Sequence, residues 1–83
     1  MFITIQKVLK NTDDVAKILH TQVIECDCYS KEYLANGNLL IVPFKNQKKV
    51  YLGLIFPPEE IDNEKYHINI YIENNDGKTI NRF

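Results

Sequence analysis

Two neighbouring apolar segments, residues 39–44 and residues 50–56, most constrain how this chain can fold. Each segment has the length of a buried strand and carries apolar side chains at both odd and even positions. Successive side chains of a strand point to opposite faces of a sheet, so both faces of these strands need cover. The two segments therefore predict a β-rich core with more apolar surface than a single covering layer can bury.

The composition predicts one folded domain over residues 1–83. Hydrophobic residues make up 45% of the chain and charged residues 25%, which is typical of a globular protein, and 83 residues allow only one modest core. The net charge of −1 gives no general attraction to phosphate, so nucleic acid is a disfavoured partner. No segment approaches the ~20 apolar residues of a membrane span, and the first residues lack the basic start of a secretory leader. We expect a cytoplasmic protein that does not bind membranes.

The first third of the chain predicts a strand followed by a helix. Residues 2–9 are mostly apolar and β-branched, which is typical of a strand. Residues 11–14 can cap a helix and place acids at the positive end of its dipole. The next apolar positions have the i, i+3, i+4, i+8 spacing of one helical stripe. We therefore expect a short helix that ends near residues 20–22 and buries Val15, Ile18 and Leu19, with Val23 as a further candidate if the helix continues.

After this helix the apolar period changes to two, which predicts that Ile24, Cys26 and Cys28 share the buried face of a strand. The two cysteines, with His20 and His67, include the ligand types of a structural zinc site. However, zinc frameworks usually present paired cysteines across tight turns, and free cysteine is among the most buried residue types. We interpret Cys26 and Cys28 as core residues, with a small metal-binding protein as an alternative.

The segment that precedes residue 39 allows two interpretations. Ser30 could cap a single helical turn that Gly37 closes, whereas the Asn-Gly pair ending at Gly37 is a strong hairpin signal. We favour the hairpin, with Leu34 facing Leu39. Pro43 cannot donate a hydrogen bond to a neighbouring strand, so we expect it at a strand end, a bulge or a sheet edge.

Residues 67–73 form the clearest predicted strand, with three isoleucines on one face. A three-residue loop at residues 75–77 is expected to follow, with Gly77 in the left-handed position of a G1 bulge. This loop would place Ile72 opposite Ile80.

The predicted order β-α-β-β-β-β-β indicates an α+β fold, a mostly antiparallel sheet of five to six strands with one short helix on one face. A helix of about ten residues is only ~15 Å long and covers roughly three strands. If the even positions of residues 50–56 face this helix, then Tyr51 and Ile55 face away, joined by alternate residues of 39–44 and by Tyr71. The sheet must either curl into a partial barrel or use this surplus face to bind a partner.

Charged segments provide further candidates for binding. An acidic loop at residues 59–64 could enter a basic groove or mimic nucleic-acid phosphates. A basic turn with a neighbouring tyrosine could instead contact nucleic acid, through Lys45, Lys48, Lys49 and Tyr51. The interaction candidates are therefore Tyr51, Ile55, Tyr71, Glu59, Glu60, Asp62 and Glu64.

The leading hypothesis is a small, non-catalytic protein-interaction module that binds an unidentified protein or forms a homodimer. The sequence contains no known nucleophile motif, phosphate loop or metal motif, so we assign no catalytic residue, metal or cofactor. Frequent Asn, Ile and Lys, with Arg82 as the single arginine, indicate an AT-rich genome, and the small size suggests a phage or mobile element. In that setting we expect an inhibitor of a host macromolecule such as a defence nuclease. A nucleic-acid-binding or regulatory module is the alternative.

Overall fold

Two antiparallel sheets, rather than one, form the part of the chain that this computed structural model describes, residues 1–10, 17–50 and 52–83. The elements of these residues are β1 (Phe2–Leu9), β2 (Lys17–Glu25), β3 (Cys28–Tyr33), β4 (Leu39–Lys45), β5 (Lys48–Lys49), β6 (Leu54–Phe56), α1 (Pro58–Ile61), β7 (Tyr66–Glu73) and β8 (Thr79–Arg82). The prediction of a small, mostly antiparallel structure with one short helix is confirmed. The prediction of one sheet of five to six strands is wrong, and the described strands do not close into a barrel.

Sheet A contains β2, β1, β7 and β8 in that order. The two central strands, β1 and β7, lie where the sequence predicted them. Ile3 of β1 lies between Ile24 of β2 and Ile72 of β7, and Ile5 pairs with Ile70. These isoleucines share one face because residues directly opposite each other in paired strands point to the same side. That face is buried.

Sheet B is built around β4, which pairs with β3 on one side and with β5 and β6 on the other. Leu39 and Ile41 of β4 are buried against sheet A. One hydrophobic cluster therefore contains residues from both sheets, namely Ile3, Ile5, Ile24, Cys26, Leu39, Ile41, Ile70 and Ile72. Two sheets are needed because each can bury only one of its faces in this shared core.

Pro43 lies inside the central strand β4, and not at a strand end or a sheet edge as expected. Its carbonyl accepts a 2.9 Å hydrogen bond from the Val50 N–H, and the N–H and C=O of one strand residue point to the same side. On that side β4 pairs with β5 at residues 44–45 and with β6 at residues 39–41. The missing donor of Pro43 therefore costs one bond, the reciprocal bond to the Val50 carbonyl, at the end of the pairing with β5 and before the pairing with β6 begins.

The helix predicted across Ile18, Leu19 and Val23 is wrong, because residues 17–25 form β2 and pair with β1 over its whole length. The segment is rich in β-branched residues, which favour strands, and β1 supplies backbone partners along its full edge. Ile24 is buried, whereas Ile18 and Val23 are 51% and 58% exposed, contrary to the helical stripe. The predicted helix start, residues 11–15, lies outside the described residues.

The short helix α1 lies instead within the predicted acidic loop. Pro58 occupies its first turn, where the missing N–H needs no intrahelical partner. Glu59 and Glu60 follow in the same turn, at the positive end of the helix dipole. Ile61 packs against the core and holds the helix on the sheets.

A hairpin joins β3 to β4, as favoured over a helical turn. The N–H of Leu34 donates to the carbonyl of Asn38 at 2.8 Å, and the N–H of Gly37 donates to the carbonyl of Leu34 at 2.9 Å. Gly37 has a φ of +88°, which suits glycine. The expected register is off by one residue, because Tyr33 and not Leu34 pairs with Leu39.

The loop between β7 and β8 has the predicted three residues, 75–77, and Gly77 has a φ of +80°. The N–H of Asn74, just before this loop, donates to the carbonyl of Lys78, just after it, at 2.9 Å. However, a register shift after the loop places Ile72 opposite Asn81. The predicted pairing of Ile72 with Ile80 is therefore wrong, and Ile80 is 55% exposed.

Residues 50–56 do not form one strand, because residues 50, 52 and 53 are irregular and β6 begins at Leu54. Leu54 and Phe56 pack against the core as predicted. Val50 and Leu52, which were expected beside them, are 40% and 94% exposed. Gly53 weakens strand structure at this point because it has no side chain to pack.

Candidate functional site

Sheet B has an outer face that the chain covers only in part. The inward side chains of β4 are buried in the core, so Leu40, Val42 and Phe44 project to the other side. Ile55 of β6 pairs with Leu40 and projects to the same side. We call Leu40, Val42, Phe44 and Ile55 the sheet B outer face.

Gly53 crosses close to this surface. A Cβ atom at Gly53 would lie 2.9 Å from Leu40 Cδ1 and 3.9 Å from Val42 Cγ2. Val42 is therefore buried although it points outward. In contrast, Ile55 is 56% exposed and Leu52, next to Gly53, is 94% exposed. The crossing covers the centre of the sheet B outer face and leaves an aliphatic rim in solvent.

The structure brings together only some of the residues predicted for the surplus face. Ile55 and the alternate residues of β4 share the sheet B outer face, as expected. Tyr71 lies on the outer face of sheet A instead, because Ile70 and Ile72 on either side of it point into the core. The Arg82 guanidinium lies 4.9 Å from the centre of the Tyr71 ring and covers it. Tyr51 lies outside the described residues.

The acidic residues do not act as one negative surface. Glu59 and Glu60 are exposed on α1. Asp62 is paired with the Lys10 ammonium, whose hydrogen bond and charge lower the pKa of the carboxyl below its ordinary value. Glu64 lines a cleft together with lysine side chains. Of these four predicted acidic residues, Glu59 and Glu60 are the two that have no lysine beside them in the described contacts.

A cleft of about 480 Å³ opens beside the end of β1 and the start of β7. The Lys7 ammonium lies 3.9 Å from the centre of the Tyr66 ring, a cation–π contact. The described lining residues are Lys7, Leu9, Lys10, Leu19, Glu64, Lys65 and Tyr66. Sequence reasoning missed this cleft, because its residues meet only through the pairing of β1 with β7.

The basic turn predicted from the sequence is a tight hairpin between β4 and β5. Asn46 and Gln47 both have positive φ, 54° and 66°, as in a type I′ turn. Lys45 pairs with Lys48 across the turn, and the Lys45 ammonium lies 3.2 Å from the Glu25 carboxylate. This ion pair reduces the positive charge available for phosphate, while Lys48 and Lys49 are exposed.

The two cysteines do not share a face. Cys26 is 1% exposed in the core, and burial raises the pKa of its thiol. Cys28 is exposed, because β2 ends before Cys26 and the chain turns into β3, which breaks the predicted alternation. His20 is exposed on β2 and His67 lies at the start of β7. Among the described residues no three His, Cys, Asp or Glu side chains are grouped as a metal site would require.

No protein-family model matches the sequence, and no significant similarity to a curated protein or to a solved structure was found. No helix within the described ranges is long and apolar enough to cross a membrane. Functional inference therefore depends on the geometry of the surfaces.

Proposed function

We propose that this chain is a non-catalytic protein-interaction module, and that the sheet B outer face binds an apolar surface on a protein partner. The observation that carries the proposal is the exposure of Ile55, at 56%, on a sheet surface that it shares with Leu40, Val42 and Phe44. Leu52 adds a second exposed aliphatic side chain beside it. Exposed apolar patches of this kind, when they are contiguous, usually mark interaction sites.

The charges around the patch support a protein partner. Glu32 pairs with Leu40 on one side of β4, and Lys49 pairs with Phe44 at its end. Both charged side chains are exposed and project to the same side as their apolar partners. Exposed aliphatic side chains, here Ile55 and Leu52, with charged residues beside them are a usual arrangement of a protein–protein interface.

Within this class we propose an inhibitor of a host macromolecule such as a defence nuclease, encoded by a phage or mobile element. Glu59 and Glu60 support it, because their exposed carboxylates on α1 can contact the basic groove of such an enzyme. Asp62 contributes less, because Lys10 neutralises it. Inhibition by this route weakens with added salt, since the charges are exposed.

Capture experiments with matched variants test the interaction surface. Immobilised protein is incubated with lysates of the cells that encode it, and retained proteins are quantified by mass spectrometry for the wild type, Ile55→Lys and Val23→Lys. Ile55 and Val23 are nearly equally exposed, at 56% and 58%, but lie on different sheets. We expect a protein that the wild type and Val23→Lys retain and that Ile55→Lys loses by tenfold or more.

Circular dichroism controls for folding, because both substitutions are at exposed positions and should leave the spectrum unchanged. Proteins retained equally by all three forms would contradict the proposed surface. Retention of nucleic acid alone, with loss of binding at moderate salt, would favour the regulatory alternative and contradict a protein partner.

A further inference from the structure

β2 forms one free edge of sheet A. At its end, the N–H of Cys26 donates to the carbonyl of Met1 at 3.0 Å, and the Met1 amino group donates to the carbonyl of Cys26 at 3.0 Å. In antiparallel strands such doubly bonded pairs alternate with pairs whose backbone groups point outward. The backbone groups of Ile24 and Gln22 therefore point toward β1. Those at the alternate positions, 21, 23 and 25, point away from the sheet.

The other described edges carry features that oppose pairing with a further strand. β5, β6 and β8 have only two, three and four residues. In β3 the Leu34 N–H donates to Asn38 and so points toward β4. By the same alternation, the backbone groups of Tyr29, Lys31 and Tyr33 point away from β4, at the open edge of the sheet. Two copies paired about Lys31 would place like charges directly opposite each other, which is unfavourable.

β2 is protected only in its first half. Lys7 pairs with His20 and Val8 pairs with Ile18, so Leu19 is an extra residue that forms a β-bulge in β2. A bulge interrupts the regular row of outward backbone groups that a further strand needs. The row is regular at Thr21, Val23 and Glu25. Among residues 1–10, 17–50 and 52–83, no strand or bulge protects this part of the edge.

We propose that a second copy of this chain pairs with β2 in antiparallel orientation, about a two-fold axis that passes beside Val23. In this register Val23 faces Val23 of the second copy, and Thr21 faces Glu25 of the second copy on both sides of the axis. All the outward backbone donors and acceptors of these three residues find partners, which gives six backbone hydrogen bonds by the alternation of an antiparallel ladder.

The side chains on this edge fit a second copy. Val23 is 58% exposed, so the pair buries aliphatic surface at the centre of the contact. The Thr21 hydroxyl can donate to the Glu25 carboxylate of the second copy, so no like charges meet. A formal charge of −1 for each chain adds almost no repulsion. The interface is isologous, as expected of a homodimer.

The dimer places the two copies of sheet A in one continuous sheet and leaves the sheet B outer face free on both copies. The proposed binding of a protein partner therefore does not depend on dimerisation. Their tests use the same two variants with opposite expectations, so failure of one does not imply failure of the other.

Sedimentation equilibrium of the full chain over a wide concentration range tests the proposal. We expect a mass that rises with concentration toward twice 9.7 kDa. Val23→Lys should weaken the dimer by tenfold or more, because two ammonium groups then face each other across the axis. Ile55→Lys is the matched control and should dimerise like the wild type.

Hydrogen exchange of the wild type keeps the test independent of any variant. The amides of Thr21, Val23 and Glu25 should exchange slowly when the dimer is populated and rapidly on dilution. The amides of Gln22 and Ile24, bonded to β1, should stay protected at both concentrations. A monomer at all concentrations would overturn the proposal. So would a dimer that Val23→Lys does not weaken and in which the amides of Thr21, Val23 and Glu25 exchange rapidly.

Discussion

The assignment of residues 17–25 to a strand can be tested with two isoleucines of β2 that differ in burial. Ile24 is 3% exposed between the sheets, and Ile18 is 51% exposed. A helix with the spacing seen in the sequence would bury Ile18 instead. Substituting each isoleucine with alanine therefore separates the two structures, because the chemical change is the same at both positions.

The expected magnitudes follow from burial. Replacing isoleucine with alanine removes three carbons, each worth about 0.8 kcal/mol when fully buried. At Ile24 this gives about 2.4 kcal/mol, and the cavity left between two sheets raises the loss of unfolding free energy to about 3–4 kcal/mol. At Ile18 about half of the side chain is already in water and no closed cavity forms, so we expect a loss of about 1 kcal/mol.

Thermal and urea unfolding, followed by circular dichroism, measure both losses. For a domain of this size 1 kcal/mol corresponds to about 4–8 °C in Tm, so Ile24→Ala should lower Tm by about 12–32 °C and Ile18→Ala by about 4–8 °C. An equal or larger effect at Ile18 would refute the strand and its pairing with β1.

Three further predictions test local features. Cys28 should react with a thiol reagent in the folded protein, and Cys26 should react only on unfolding, because burial excludes the reagent and raises the pKa of its thiol; equal rates in a mass-spectrometric assay would contradict the broken alternation. The pKa of Asp62 should lie below its ordinary value and return to it in a Lys10→Met variant, as measured by NMR titration. The pKa of Asp62 is lower in the folded protein than in the unfolded chain. The ion pair with Lys10 therefore stabilises the fold at pH values above the unfolded pKa, and this stabilisation is lost as pH falls through the folded pKa. An unchanged Asp62 titration in the variant would count against the ion pair. Gly77→Ala should lower the free energy of unfolding, measured with urea, by about 1–2 kcal/mol, because alanine is strained at a φ of +80°. No heavy atom lies within 4 Å of the new Cβ, so a steric clash adds nothing to this loss. An unchanged free energy of unfolding would show that the loop adopts another conformation.

Sequence patterns predicted the strands whose apolar residues fit a strand and do not also fit a helix. β7 alternates isoleucines with other residues from Ile68 to Ile72, β1 is mostly apolar and β-branched, and β4 is too apolar to lie at the surface. The glycine loops were also predicted, because Gly37 and Gly77 stand where tight hairpins need a positive φ. These features depend on neighbours in the sequence, and local physical chemistry is sufficient to predict them.

The errors have a common physical origin in pairing between distant segments. Ile18, Leu19 and Val23 fit a helical stripe as well as a strand, and only the partner strand β1 decides between them. The register at Ile72 depends on a bulge that the loop length does not reveal. The separation of Cys26 from Cys28 depends on a turn between two sheets.

The candidate site was predicted in part for the same reason. Alternation along β4 predicted a second apolar face, and Ile55 lies on it. Tyr71 was assigned to that face because the sequence does not show which sheet each strand joins. Only the strand order shows that β2 is an edge and that Val23 is exposed on it.

Photo-crosslinking in the cells that encode the protein tests whether the sheet B outer face binds a protein partner. A photoreactive amino acid is placed at position 55, on the sheet B outer face, and in a separate variant at position 71, on the outer face of sheet A. We expect position 55 to crosslink to a distinct second protein and position 71 not to do so. Absence of a crosslinked protein from position 55, or the same products from both positions, would contradict a binding role for the sheet B outer face.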